Sequence, residues 1–205
     1  MTRVLSGAVL IVLVVAIVWF APPAVFETFA IVVAFIGAWE LTRLVKPPAL
    51  AIPFALVYVA APLAALVAIR LMAGPEGLFL LMVTVMISDT AQYYTGRTLG
   101  RTLLAPRISP KKTIEGAMGG FVIGTLAFTA IGAWWAPQLS TAVRAGLGVA
   151  IVALGIAGDL FESSLKRRAG VKDSSALIPG HGGVLDRIDA LLFAAPAYYM
   201  VLRFL

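Results

Sequence analysis

The chain has 205 residues, 61% of them apolar and 13% charged, with no cysteine, one histidine and a formal net charge of +6. An average soluble domain is roughly 45–50% apolar and about 25% charged, so these proportions exclude an ordinary soluble domain, and a disordered chain would be poor in apolar residues. Without cysteine a disulfide framework and thiolate metal sites are excluded, and the basic excess suits a membrane protein with basic loops on one side better than a nucleic-acid binder.

A helix crossing the hydrocarbon core needs about 20 largely apolar residues, with a range of roughly 17–25. Seven runs are predicted to do so, at 4–20, 24–44, 50–72, 78–95, 117–136, 141–158 and 190–205, with Pro22-Pro23, Pro47-Pro48, Gly74-Pro75 and Pro137 at the joints. Strand-like alternation of the outer-membrane type is missing, so the predicted fold is all-α, a polytopic helical bundle. Arg3 and the run 4–20 resemble a signal peptide, but no Ala-x-Ala site follows and the next span begins at once, so the run is read as the first span. With the N-terminus cytoplasmic, 13 of the 16 Lys and Arg lie on the inner side, and only Arg70, Arg144 and Arg203 on the other. The positive-inside rule therefore sets the orientation. Residues 1–77 read as N-terminal spans and 78–205 as a catalytic membrane region with two cytoplasmic loops, 96–116 and 159–189.

Chemistry is expected in those loops, which carry most of the ionisable residues. If the sixth helix continues through Lys166, then Asp159, Glu162, Ser163 and Lys166 share one helical face. Such a face on a membrane-boundary helix belongs toward a water-filled cavity rather than lipid. Asp186 and Asp189 are three apart at the start of the last span, and Asp159 and Asp186, from different helices, are placed to converge on a hard cation such as Mg²⁺. Lys166, Arg167, Lys172 and Arg187 surround that point with positive charge, a set that suits a nucleoside triphosphate with its metal. In Pro179-Gly180-His181-Gly182-Gly183 the glycines let backbone N–H groups approach phosphate, or simply form a turn. His181 has no second His or Cys and reads as an orienting or phosphate-contacting residue. Upstream, Asp89 lies inside an apolar run, a functional position by default. Lys111-Lys112 beside Pro110 bind phosphate or lie against anionic headgroups, and Gly116, Gly120 and Gly124 suggest close helix packing.

These residues resemble a known signature. Ser163-x-Leu165-Lys166-Arg167, Lys172-Asp173-x-Ser175 and Ile178-Pro179-x-His181-Gly182-Gly183-Val184-x-Asp186-Arg187-Ile188-Asp189 together are similar to the hallmark of phosphatidate cytidylyltransferases, also called CDP-diacylglycerol synthases. Asp89-Thr90-Ala91, Gly96-Arg97 and the stretch Ile108 to Gly116 fit the same family, and Trp39-Glu40 fits it more weakly. The chain is shorter than typical members between Trp39-Glu40 and Asp89, and Gln92 stands where a small residue is usual.

The resemblance implies an inner-membrane enzyme of bacterial type, with its site facing the cytoplasm, that transfers a cytidylyl group from CTP to phosphatidate. It implies Mg²⁺ with a monovalent cation such as K⁺ beside it, and a homodimer. The metal aspartates map onto Asp159 and Asp186, and the other polar positions onto Asp89, Ser163, Lys166, Arg167, Lys172, His181 and Arg187. Lys111, Lys112, Gly182 and Gly183 are the residues expected to hold the nucleotide phosphates. The alternatives are a CTP-dependent enzyme acting on another lipid phosphate or a lipid alcohol, and a non-catalytic membrane protein with a degenerate site. No nucleic-acid partner is expected.

Overall fold

The computed structural model describes residues 2–204. The Arg3 side chain, which enters the charge count, and Leu205, the end of the last expected span, lie outside the described residues. Seven α-helices run in the order α1 (Thr2–Phe20), α2 (Pro23–Leu44), α3 (Pro48–Ala55), α4 (Ala61–Leu99), α5 (Ile114–Trp135), α6 (Thr141–Arg168) and α7 (Leu185–Phe204). A π-helical turn, Leu56–Ala60, joins α3 to α4. Pro23 opens α2 and Pro48 opens α3, where a missing N–H leaves no helical bond unmade. Ser140 caps α6 by accepting the Val143 amide at 3.3 Å.

By length and composition, four helical segments among the described residues suffice to cross a membrane: Pro23–Leu44, Ala49–Leu99, Ile114–Trp135 and Thr141–Arg168. The seven expected spans are thus reduced to four by this measure. Leu5–Phe20 is apolar but shorter, and α7 carries Asp186, Arg187, Asp189 and Arg203. The segment Ala49–Leu99 has 51 residues; held straight at ~1.5 Å per residue it would be about two and a half times as long as the hydrocarbon core is thick. It does not stay straight. Gly74 has φ 70° and Pro75 follows it, so the helical path breaks there.

Contacts on either side of the break show that the chain reverses. Tyr58 packs against Phe161 and Phe193 at the end that carries the loop before α7. Arg70 Nε donates to the Val18 carbonyl at the opposite end, at 2.7 Å. There Phe79 packs against Trp19 and Trp135, with ring centroids 5.7 and 5.8 Å apart. The returning half then runs beside α5. Small residues set that approach: a Cβ on Gly116 would lie 2.8 Å from the Gln92 carbonyl, and one on Gly120 would lie 2.2 Å from Gln92 Cγ. Apolar chains in lipid gain nothing by leaving water, so close van der Waals contact of this kind carries the association.

The polar connection between α4 and α5 is not all loop. Leu103–Ala105 (β1) and Ser109–Thr113 (β2) pair antiparallel, a short ribbon within a fold that is otherwise helical, as expected. Two strands this short carry no readable alternation, and Pro110 in β2 is tolerated only because the ribbon has an open edge. Thr113 then caps α5, its hydroxyl accepting the Gly116 amide at 3.1 Å. The Glu115 carboxylate accepts the Arg101 and Thr102 amides at 3.0 and 3.2 Å, which pins the ribbon to the helix.

Gly120→Val is expected to destabilise the bundle by about 1–3 kcal/mol through overpacking. Gly146→Ala, where an added Cβ meets nothing within 4 Å, is expected to be neutral or slightly stabilising. Thermal unfolding of the two variants in detergent checks the contrast, and equal effects would contradict the packing described.

Candidate active site

The site is assembled at the end of the bundle where α2, α4, β2, α6 and α7 meet. α6 runs on through Arg168, so the expected polar face exists. Ser163 Oγ donates to Asp159 Oδ1 at 3.3 Å, and Lys166 pairs with Glu162 one turn earlier. Lys166 also reaches across to α7 and holds Asp186 Oδ1 at 2.5 Å. Glu162 is fully buried and Lys166 nearly so. The ammonium therefore sits between two carboxylates in a site of low polarity, where an uncompensated charge would be costly.

Asp186 is held on both oxygens. Its Oδ2 accepts the Ser174 amide at 2.9 Å and the Gly183 amide at 2.8 Å, and the Ser174 hydroxyl lies at 2.9 Å. Asp186 precedes the expected last span. Burial opposes its ionisation, but the Lys166 ammonium and the Gly183 and Ser174 amides outweigh it and hold the carboxyl below the usual range. Gly182, at φ 77°, completes the turn, and a Cβ there would lie 2.6 Å from Asp186 Oδ2. The structure thus assigns the Gly183 amide to a protein carboxylate, and Gly182 gives Asp186 room.

Asp159 pairs with Lys112 of β2. Adjacent residues on a strand point to opposite faces. Lys112 accordingly turns into the site, while Lys111 is exposed on the other side. Asp89 and Asp189 lie within electrostatic reach of Asp159. Asp89 Oδ1 accepts from Gln92 Nε2 at 3.0 Å and borders a crevice between α4 and α6 lined by Ser88, Val152 and Gly155. Among the described residues no three His, Asp or Glu side chains are grouped closely enough to form a metal site by themselves. The donor set still fits a hard cation. Such an ion usually takes one or two carboxylates and completes its shell with water and substrate phosphates, and an ammonium already sits on Asp159 where positive charge is wanted.

The remaining expected residues lie further out. Arg167 is spent on backbone, its Nε donating to the Ile108 carbonyl at 3.2 Å and its Nη1 to the Val171 carbonyl at 2.9 Å. Lys172 and Arg187 are exposed at the rim. His181 faces α1, with Nδ1 3.1 Å from Ser6 Oγ, which itself donates to the Pro179 carbonyl at 2.9 Å.

Two residues outside the expected set are drawn in. Glu40, fully buried on α2, bonds to the loop before α7. Its partners are more than 130 residues away, so its signals in the sequence are the weak Trp39-Glu40 match and an acidic residue inside an apolar span. Tyr58, on the π-helical turn, is buried with its hydroxyl unpartnered among the described residues, and lies within electrostatic reach of Glu162, Asp189 and Asp159. π turns interrupt helices frequently at functional sites.

A sequence profile of the Cytidylyltransferase family matches residues 48–205. The chain belongs to that family. It is 36% identical over 188 residues to a phosphatidate cytidylyltransferase of Aquifex aeolicus, covering 90% of this chain and 68% of that protein. It is 41% identical over 138 residues to the phosphatidate cytidylyltransferase of Thermotoga maritima, covering 64% and 51% of the two chains. For the Synechocystis protein of the same name the identity is 46% over 138 residues, covering 64% and 46%. The chain thus spans about half the length of the latter two relatives.

Removing Lys166 leaves Glu162 and Asp186 facing each other unpaired. Lys166→Met is expected to destabilise the protein by about 3–5 kcal/mol, whereas Lys111→Ala, at an exposed position, should stay within about 0.5 kcal/mol. Unfolding curves of the purified variants in detergent decide the point.

Proposed function

We propose that the protein catalyses cytidylyl transfer from CTP to phosphatidate, giving CDP-diacylglycerol and pyrophosphate, at the cytoplasmic face of a bacterial inner membrane. The observation that carries the reading is the joining of Asp159, Ser163, Lys166 and Asp186 at one bundle end in a chain of this family. The phosphate monoester of the lipid sits at the interface while its tails remain in the bilayer, and CTP enters from the aqueous side. One phosphatidate oxygen attacks the α-phosphorus of CTP. The bond from that phosphorus to the β-phosphate bridging oxygen breaks, and pyrophosphate leaves with the electron pair. The attacking oxygen is already anionic near neutral pH, so no strong general base is required.

Lys112 and Lys166 hold the carboxylates in register, and the exposed Lys172 and Arg187 offer charge at the rim to the triphosphate. Mg²⁺, held by Asp159 and Asp186 with a monovalent cation such as K⁺ beside it, would supply charge neutralisation on the phosphates. In the membrane, the reversal at Gly74 makes two crossings of one helical run, and α1 and α7 supply the outermost of seven. Charge asymmetry supports the loop-bearing end as the inner one, since 13 of the 16 Lys and Arg fall there and Arg70, Arg144 and Arg203 at the other end.

The purified chain in detergent or nanodiscs, given CTP, Mg²⁺ and phosphatidate, is expected to form CDP-diacylglycerol. Asp159→Asn and Asp186→Asn should each lower kcat by about 100-fold or more, the scale of losing one electrostatic contact to a transition state. A folded protein that makes no product from phosphatidates of any chain length, or that transfers to another lipid phosphate instead, would overturn the substrate assignment.

A further inference from the structure

Glu40 is an acidic side chain enclosed by hydrogen-bond donors on both oxygens. It lies within α2, outside the residues matched by the family profile, and is fully buried. Its Oε1 accepts the Ser175 hydroxyl at 2.6 Å and the Val184 amide at 3.0 Å. Its Oε2 accepts the Leu185 amide at 2.7 Å and faces the Ser174 hydroxyl at 3.0 Å. The four donors come from both ends of one loop, so a single carboxylate closes the segment from Ser174 to Leu185 into a ring. Gly183 lies inside that ring, where a Cβ would be 2.3 Å from Glu40 Oε1 and 2.1 Å from Ser174 Oγ.

The same loop sets Asp186. The Ser174 amide and the Gly183 amide both donate to Asp186 Oδ2, and the Ser174 hydroxyl stands between the two carboxylates. We propose that Glu40 is a positioning residue that clamps both ends of the Ser174–Leu185 loop and, through Ser174 and Gly183, holds Asp186 in place for the transfer reaction. This rests on the reading of Asp186 as part of the transferase site.

The chemistry demands a carboxylate specifically. Each Glu40 oxygen accepts from a backbone N–H, one from Val184 and one from Leu185. A glutamine has only one acceptor oxygen, and in either orientation its NH₂ would face one of those amides donor to donor. A serine hydroxyl can turn to accept from such a group, but a backbone N–H cannot. Glu40→Gln, nearly identical in size, therefore isolates the hydrogen-bond pattern from packing.

Hydrogen exchange followed by mass spectrometry, together with turnover per folded molecule, tests the clamp in the full chain. In Glu40→Gln, segments covering residues 174–185 should exchange at least about tenfold faster, while α4 and α5 stay unchanged. The kcat should fall by about 10–100-fold, the usual cost of losing a residue that orients a site group. Glu40→Gln combined with Ser174→Ala should lose less than the sum of the two single losses, because both act on Asp186 through the same loop; a merely structural role would make the losses add. If Glu40→Gln does not fold, Ser174→Ala alone is expected to show a smaller loosening of the same segment and a smaller loss of kcat. Unchanged exchange in the loop, or a loosened loop with kcat within twofold of the wild type, would overturn the proposal. If the wild type transfers no cytidylyl group, the functional reading fails, while the exchange measurement still decides whether Glu40 closes the loop.

Discussion

Taking a carboxylate out of water costs several kcal/mol unless cations or hydrogen-bond donors replace the lost solvent. In this bundle that requirement organises the functional end. Lys112 meets Asp159, Lys166 meets Glu162 and Asp186, and the loop donors meet Glu40. Lys166–Glu162 lies within α6, and the other matches join different elements: the ribbon to α6, α6 to α7, and α2 to the loop before α7. The polar groups are therefore not passengers on a finished apolar scaffold. They select one arrangement of helices whose lipid-facing surfaces are nearly interchangeable.

The apolar packing has a complementary task. α5 can deliver Lys112 to Asp159 only if it lies hard against the returning half of α4. Gly116, Gly120 and Gly124 provide that approach, because a side chain at any of them would collide with Gln92 or Ser88. Gln92, the residue that departs from the family pattern, is thus part of the contact surface itself and also donates to Asp89. The hairpin at Gly74 is what turns one long apolar run into two walls, with Tyr58 on the outgoing half and Asp89 on the returning half brought to the same end.

Much of this was legible in the sequence, for definable reasons. Hydropathy marks a membrane helix because the hydrocarbon core dictates both its length and its composition. The face Asp159, Glu162, Ser163 and Lys166 follows from helical period once α6 is taken to continue. Other parts were not legible. Whether α7 is long and apolar enough cannot be read from a run whose first turns carry the site's own charges. Lys111 and Lys112 look equivalent as neighbours and part company only when they fall on a strand. Glu40 shows in the sequence only through the weak Trp39-Glu40 match, since what makes its role readable is a set of donors that arrive from the far end of the chain.

The two populations of basic residues follow from the same electrostatics. A lysine already paired inside the bundle has little attraction left for a distant anion, since its field is largely cancelled by the carboxylate beside it. Lys112 and Lys166 are in that condition. Lys111, Lys172 and Arg187 are exposed and project their charge into solvent, where it acts over a Debye length of about 8–10 Å at physiological salt. For the triphosphate of the proposed reaction, approaching from water, the rim residues would supply the pull and the inner lysines the geometry. Rim charges of this kind change association rates and salt dependence more than the chemical step. Inner pairs act the other way, because moving one of them displaces the carboxylate it holds. The net positive charge of the chain thus divides by depth, and depth rather than residue type decides what each cation does.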